Sequence, residues 1–312
     1  MDPHLFAILL PPAALALDLL LGDPPGLPHP VRYVGRWLNR AEKAMRRAGL
    51  ATRPGGALAV VAFCAAAGLL VNILTAIPWL GVLAAVYFAW AGLALGQLLR
   101  EGRRAARLLA AGDLEGGRTA VAGLVSRDVS DMDEAGLRRS LAESLSENLS
   151  DAFVAPFFFL CVFGPAGLWV QRVVSTMDSM WGYRTEAYSR LGWAAAKCDD
   201  VLCWLPARLT GFALLGAGWL LKLDWQSGYD NILDDAGKME SPNAGWPMAA
   251  TAWLVGASMG GPTVYFGEVK DKPLLGPDGE WTDEKLHVLM RLLLGGGLVA
   301  AGVLYLYVWA LA

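Results

Sequence analysis

Long apolar runs alternate with short polar segments along most of the chain. A helix needs about 20 mostly apolar residues to cross roughly 30 Å of hydrocarbon. Three runs of this length are clear predicted spans, at residues 57–77, 79–99 and 289–309. Four further stretches are weaker candidates, at residues 6–22, 153–174, 201–221 and 246–266; the first three are broken by proline and the last is rich in glycine. The pattern predicts five to seven spans in an all-α, polytopic integral membrane helical protein with broken or re-entrant helices.

Residues 6–22 form the first interrupted stretch, because Pro11 and Pro12 break the apolar run and Asp18 lies near its end. A cleaved signal peptide is the alternative to a spanning helix. The stretch has no basic segment before it and no small-residue cleavage pattern after it, which favours the span. No internal repeat is evident, so we expect a single membrane domain over residues 1–312, with a polar helical cytoplasmic insertion at about 100–150.

The loop over residues 23–56 is strongly basic. It carries two acids, Asp23 and Glu42, against seven cations: Arg32, Arg36, Arg40, Lys43, Arg46, Arg47 and Arg53. Cytoplasmic loops of membrane proteins are enriched in Lys and Arg. We therefore expect this loop on the cytoplasmic side and the N-terminus outside. Apolar residues at 31, 34, 37 and 38 alternate with the cations, which predicts an amphipathic helix lying on an anionic membrane surface.

Residues 153–174 can either cross the membrane fully or turn back within it, because Gly164 and Pro165 break this apolar run. A full crossing would place the polar segment 175–200 outside the cell. A re-entrant or buried arrangement keeps that segment on the cytoplasmic side, where broken helices are tolerated if protein or water covers the backbone. We favour the second arrangement.

Composition supports a membrane protein and excludes other classes. Of 312 residues, 55% are hydrophobic and 18% are charged, whereas soluble domains carry roughly 25% charged residues. The net charge of −3 excludes a basic nucleic-acid binder. Three histidines and four cysteines show neither metal-binding nor disulfide spacing, so buried thiols are expected. No Walker A motif or Gly-rich nucleotide fingerprint is present.

Ionisable residues beside apolar runs are candidates for chemistry, because they are costly near a bilayer. Asp23 and His29 lie in a Pro-rich turn at the end of the first span, for which a plain helix stop is the alternative. Glu143, Glu147 and Asp151 recur at every fourth position of a predicted helix. Like charges at this spacing repel each other.

Bound Mg²⁺ would relieve that repulsion, because it prefers carboxylate and phosphate oxygens. The alternative is a solvated acidic stripe paired with Arg138 and Arg139.

Three later clusters leave similar alternatives open. Asp178, with Tyr183 and Arg184, suits an anionic group, or else Asp178 caps a helix. Asp199 and Asp200 precede an apolar run. They either cap the helix that this run forms or bind a metal ion.

Arg208 lies inside that run and requires a partner, for which an aspartate or a phosphate is expected. Asn243 lies in a tight turn over residues 241–247, for which a bare turn is the alternative.

A series of short motifs follows in order along nearly the whole chain: Gly22-Asp23-Pro24, Pro28-His29-Pro30-Val31, Arg127-Asp128, Glu143-Ser144, Glu147-Asn148-Leu149-Ser150-Asp151, Ala155-Pro156, Asp178-Ser179-Met180, Gly182-Tyr183, Asp199-Asp200, Pro206-Ala207-Arg208-Leu209-Thr210 and Ser241-Pro242-Asn243-Ala244-Gly245. In these motifs the chain resembles the CobD/CbiB family of adenosylcobinamide-phosphate synthases, which are membrane proteins of the late cobamide pathway.

This resemblance implies an ATP-dependent, Mg²⁺-dependent amide-forming ligase. Its substrates would be the corrinoid adenosylcobyric acid and an aminoalcohol phosphate such as aminopropanol or ethanolamine phosphate, joined through an acyl phosphate. It also implies a multi-pass protein of the cell inner membrane with a cytoplasmic active site, in contact with the lipid bilayer and with other late cobamide-pathway membrane enzymes.

Site roles implied by the resemblance follow the matching motifs. Metal ligands would come from Asp23, Glu143, Glu147, Asp151, Asp199 and Asp200. Catalytic roles would fall to His29, Glu147, Asp178 and Arg208. ATP or phosphate would be bound by Arg127, Arg184, Asn148 and Asn243.

The chain departs from the family pattern at Ser126, Ala152, Ser175 and Cys203. The alternative function is a non-catalytic membrane transporter or signalling protein on the same scaffold.

Overall fold

The structure is a computed structural model that describes residues 3–24, 26–183, 185–265 and 268–311. Its helices, in chain order, are α1 (Pro3–Leu21), α2 (Pro30–Arg47), α3 (Arg53–Ala76), α4 (Leu80–Ala91), α5 (Leu95–Ala110), α6 (Leu114–Ala122), α7 (Glu134–Asn148), a π-helix (Leu149–Val154), α8 (Ala155–Trp181), α9 (Trp193–Leu202), α10 (Trp204–Leu220), α11 (Trp225–Ala236), α12 (Gly245–Val255) and α13 (Asp283–Leu311). The strands are β1 (Met259–Tyr265) and β2 (Glu268–Leu275). The all-α fold class is confirmed, with one small hairpin added.

Membrane-spanning character is confirmed by the length and composition of the helices. Within the described residues, five helical stretches are long and apolar enough to cross a bilayer: His4–Leu21, Arg53–Ala76, Leu80–Ala110 (α4 with α5), Glu134–Trp181 (α7 to α8) and Asp283–Ala310. A sixth span is counted only if α9 and α10 are taken together as one broken span. The protein is therefore a polytopic membrane protein, and the count agrees with the predicted range.

The predicted span over residues 246–266 is wrong. Helix α12 ends at Gly256, whose φ of 71° is a left-handed conformation that favours glycine. The chain then forms β1, which pairs antiparallel with β2. Gly260 has a φ of 91°, and a Cβ there would lie 2.0 Å from Pro273 O. Glycine therefore allows the two strands to approach closely at this point.

The chain forms two compact units. The first comprises Met1–Ala94, Ala155–Cys203 and Leu304–Ala312, and the second comprises Leu95–Val154 and Trp204–Val303. This division does not test the expected single membrane domain, which stays a prediction. The side of the membrane on which residues 175–200 lie also stays a prediction.

In the first unit, α2 is the predicted amphipathic helix, but its apolar side faces protein. Leu38 is fully buried in a core with Val173, Met177 and Trp181, and Val34 packs against the same core. Trp37, which the sequence pattern grouped with the apolar side, is 58% exposed. The outward face of α2 is therefore basic and aromatic rather than apolar.

In the second unit, α7 supplies the centre of the core. Leu137, Leu141 and Leu145 are fully buried on one side of the helix. The six-residue π-helix continues α7 and packs against α10. Single π-helical turns inside longer helices occur frequently at functional sites. Here the turn shifts the helical register between Glu147 and Asp151, so the two acids do not follow the regular stripe that the sequence predicted.

Candidate functional site

A buried ion pair lies at the centre of the second unit. Arg127 Nη2 is 2.6 Å from Glu143 Oε2, and the side chains are 7% and 0% exposed. Arg127 Nη1 also donates to Ser140 Oγ at 3.2 Å. Glu143 Oε1 accepts a hydrogen bond from the backbone N–H of Gly260 at 2.7 Å. Both carboxylate oxygens of Glu143 are thus engaged by protein groups.

Arg138 does not pair with this acidic stripe, contrary to the alternative considered from the sequence. Its Nη2 contacts Glu134 Oε1 at 2.5 Å and Asp283 Oδ1 at 2.9 Å. The ion pair of Glu143 comes instead from Arg127, which precedes α7 in the chain.

One turn after Glu143, Glu147 is only partly exposed and lies within electrostatic range of Arg127, Glu143 and Lys272. The sequence analysis missed Lys272 because it was not part of any motif. The Gly260-Gly261-Pro262 break in the apolar run was the available signal for the hairpin that carries it. We call Arg127, Glu143, Glu147 and Lys272 the charged cluster.

Two polar residues adjoin the charged cluster along the chain. Asn148 Nδ2 donates to Ser144 O at 2.8 Å and to Ser144 Oγ at 3.1 Å. The Ser144 hydroxyl in turn donates to Leu124 O at 2.6 Å. These bonds fix the orientation of the Asn148 amide. Asp151 follows on the π-helix and is partly exposed.

A second pair of predicted residues also meets in this unit. Arg208 Nη1 donates to Asn243 Oδ1 at 3.2 Å and to Trp204 O at 2.7 Å. The guanidinium lies over the Trp204 ring at 4.2 Å and over the Trp246 ring at 4.9 Å. Arg208 was expected to have an aspartate or phosphate partner. Among the described residues its partners are an amide, a carbonyl and two indole rings.

In the first unit, His29 Nε2 lies 3.5 Å from Asp23 Oδ1. The two residues line a cavity of about 10 Å³ together with Tyr87 and Trp90, a volume that admits about one water molecule. Tyr87 donates from its hydroxyl to Pro28 O at 2.5 Å, which fixes the Pro-rich turn. The turn therefore brings the carboxylate and the imidazole close together.

The remaining acids of the first unit lie near helix ends rather than at helix N-caps. Asp178 is in the last turn of α8, and its carbonyl accepts from Gly182 N at 2.6 Å. Asp199 and Asp200 are in α9, so they do not cap the apolar run that follows. Asp200 pairs with Lys197 at 2.8 Å. Cys203 Sγ lies 3.7 Å from Asp199 Oδ1.

Arg184, predicted to bind an anion, lies outside the described residues. Among the residues that are described, no group of three or more His, Cys, Asp or Glu side chains could hold a metal ion. The six predicted metal ligands therefore stay predictions.

The chain matches the family model described as CobD/Cbib protein over residues 11–293. It is 35% identical to cobalamin biosynthesis protein CobD of Photorhabdus laumondii, covering 85% of this chain and 86% of the relative. It is 39% identical to the protein of the same name in Rhodobacter capsulatus, covering 84% of each. For that of Chromobacterium violaceum the identity is 37%, covering 90% of each. No solved structure matches the chain significantly. These matches extend over most of the chain, which therefore belongs to the CobD/CbiB protein family.

Proposed function

We propose that this protein acts in cobalamin biosynthesis as an ATP- and Mg²⁺-dependent amide-forming ligase. It joins the carboxylate of adenosylcobyric acid to the amine of aminopropanol phosphate or ethanolamine phosphate, and the product is adenosylcobinamide phosphate. Family membership and the names of the curated relatives support the pathway. The reaction itself is our inference.

The charged cluster is the observation that carries this proposal. Two cations and two carboxylates lie close together inside a strongly apolar chain. Charged groups in such a setting are expensive and by default serve function. A ligase that handles triphosphate and carboxylate groups requires cations at the developing negative charge.

In the proposed reaction, the substrate carboxylate attacks the γ-phosphorus of ATP, which forms an acyl phosphate and releases ADP. The amine then attacks the acyl carbon, the C–O bond to phosphate breaks, and inorganic phosphate leaves. The ammonium form must first lose a proton, which passes to the solvent. We assign Arg127 and Lys272 to the binding of phosphate oxygens, because both are cations within electrostatic range of Glu147.

The carboxylates near the charged cluster fit Mg²⁺ if substrate phosphates supply the remaining ligands. Mg²⁺ is usually held by one or two carboxylates together with substrate phosphates rather than by a complete protein cage. Glu147 and Asp151 would supply the carboxylates, since both oxygens of Glu143 are engaged. The bound ion would neutralise phosphate charge during transfer.

The test is an assay of the purified full chain in detergent with adenosylcobyric acid, ethanolamine phosphate, ATP and Mg²⁺. Mass spectrometry should detect the amide product and equimolar ADP. Glu147→Gln should reduce kcat by at least about 100-fold if the carboxylate contributes several kcal/mol. Glu134→Gln, an isosteric change on the same helix, is the matched control and should retain activity.

Absence of the amide, under conditions where an active family synthase forms it, would contradict the ligase and favour the non-catalytic alternative. Full activity of Glu147→Gln would remove this residue from the site.

A further inference from the structure

A groove of about 400 Å³ opens at the start of α2, in the first unit. Two arginines, a histidine and a tyrosine line it together with two apolar residues: Arg32, Arg36, His29, Tyr33, Leu27 and Pro28. Its volume lies within the range of roughly 300–1,000 Å³ typical of small-molecule sites. Asp23 is not among its lining residues. The groove therefore combines cationic and apolar lining residues.

In the part of the chain that the structure describes, the two arginines of the groove have no carboxylate partner. Among the described residues, neither Arg32 nor Arg36 forms an ion pair, and only the Tyr33 ring lies against Arg36, at 4.2 Å. By contrast, Arg46 on the same helix pairs with Glu42 at 2.8 Å and donates to Ala187 O at 3.0 Å. Arg32 and Arg36 are thus available to an external anion.

The backbone that carries these side chains is rigid. Pro30 begins α2, and the Tyr87 hydroxyl holds the Pro28 carbonyl in the preceding turn. The opposite side of α2 is anchored by the fully buried Leu38. A preorganised backbone lowers the entropy cost of binding. His29 Nε2 is buried and lies 3.5 Å from Asp23 Oδ1, so the imidazole is held in place at the edge of the groove.

We propose that this groove binds a phosphate group through Arg32 and Arg36. Guanidinium groups bind phosphate oxygens through paired hydrogen bonds, whereas a lysine acts only as a point charge. Leu27 and Tyr33 would contact the organic part of the ligand. Helix α1, a candidate span, ends at Leu21, shortly before the first groove residue, Leu27. The groove is therefore close enough to a membrane surface to receive the phosphate of a lipid headgroup, and a soluble phosphate ester is the other source. The proposal does not depend on the ligase activity.

Native mass spectrometry of the full chain in a neutral detergent tests both sources. One arm adds ethanolamine phosphate, and the other adds phosphatidylglycerol. The double variant Arg32→Gln/Arg36→Gln should weaken binding of the recognised ligand by more than about tenfold, as expected for lost charge-assisted hydrogen bonds. Arg32→Lys/Arg36→Lys should recover only part of the affinity. If the ligand of one arm binds and its affinity falls in the two double variants as described, the result supports the site. The arm in which this occurs identifies the source of the phosphate.

The matched control is Arg40→Gln/Arg47→Gln, which removes the same charge from the same helix outside the groove. It should leave the affinity within about twofold, since a long-range charge effect at the surface is strongly screened. Equal losses in both double variants would overturn the proposal, because the effect would then reflect only net charge. Absence of binding in both arms would also overturn it.

Discussion

Arg127 and Glu143 form an ion pair whose atoms Nη2 and Oε2 are 2.6 Å apart and whose side chains are almost completely buried. Glu143 also accepts a hydrogen bond from Gly260 N, at the start of the hairpin. One carboxylate therefore links the segment before α7, the helix α7 itself and β1. This arrangement orients the charged cluster, because Glu147 lies one helical turn further along α7.

Glu143→Gln should destabilise the second unit strongly. The variant retains the shape of the side chain but removes the carboxylate charge that lies 2.6 Å from the buried guanidinium of Arg127. Breaking a buried pair on one side typically costs about 3–5 kcal/mol. Denaturant unfolding in detergent measures this change in the free energy of unfolding.

The pair of Glu134 with Arg138 provides the comparison, because the Glu134 side chain is 46% exposed, and Glu134→Gln should cost less than about 1 kcal/mol. The double variant Arg127→Met/Glu143→Leu should be more stable than Glu143→Gln, since it removes both charges of the buried pair. Equal stability of Glu143→Gln and Glu134→Gln would contradict the structural role of the pair.

Gly192→Ala should destabilise the first unit for a steric reason. A Cβ at this position would lie 1.7 Å from Trp181 O and 2.4 Å from Trp181 C, and backbone atoms cannot move aside cheaply. Overpacking of this kind costs about 1–3 kcal/mol or more. Thermal unfolding followed by circular dichroism would show the lowered midpoint.

Gly302→Ala is the control, because no atom lies within 4 Å of the corresponding Cβ on α13. It should be neutral or stabilising by about 0.5–1 kcal/mol, as alanine favours the helix. A Gly192→Ala protein as stable as wild type would show that Trp181 and Gly192 are not in close contact.

Asp235 should make the stability of the second unit dependent on acid pH. Burial alone would raise the pKa of its carboxyl, but hydrogen bonds from Gly276 N, Lys238 Nζ and Trp253 Nε1 lower the pKa below its usual value. A depressed folded-state pKa stabilises the protein above about pH 4, the usual aspartate value, and this contribution is lost as the pH falls through the folded-state pKa.

The measurement compares unfolding midpoints of wild type and Asp235→Asn between pH 7 and pH 3. The difference between them should be largest near neutral pH and shrink as the pH falls below about 4. A difference that stays constant over this range would show that the charge of Asp235 does not contribute.

Much of the helical architecture was predictable because its signals are local. The apolar runs over residues 57–77 and 289–309 are long enough to span a bilayer on their own, and helices α3 and α13 cover them. The run over residues 246–266 misled the same reasoning. Its composition is apolar, but the left-handed conformation at Gly256 ends the helix and starts a hairpin.

The sequence predicted which residues belong to the candidate site better than it predicted which of them contact one another. Asp23 and His29 meet because a short Pro-rich turn separates them, and Arg208 meets Asn243 across a larger interval of sequence. The sequence favoured acidic or phosphate partners for Arg208 and did not anticipate its position between two tryptophan rings. Lys272 belonged to no motif at all.

By itself, the sequence determined the membrane class, most of the spanning helices and the order of the polar motifs, since apolar length and helical periodicity depend only on neighbouring residues. Only the tertiary structure decided which charge meets which, that the apolar side of α2 packs on protein, and that Lys272 lies near Glu147. Those outcomes depend on how segments distant in the chain pack together, and a buried charge takes the partner that packing brings within a few ångströms of it.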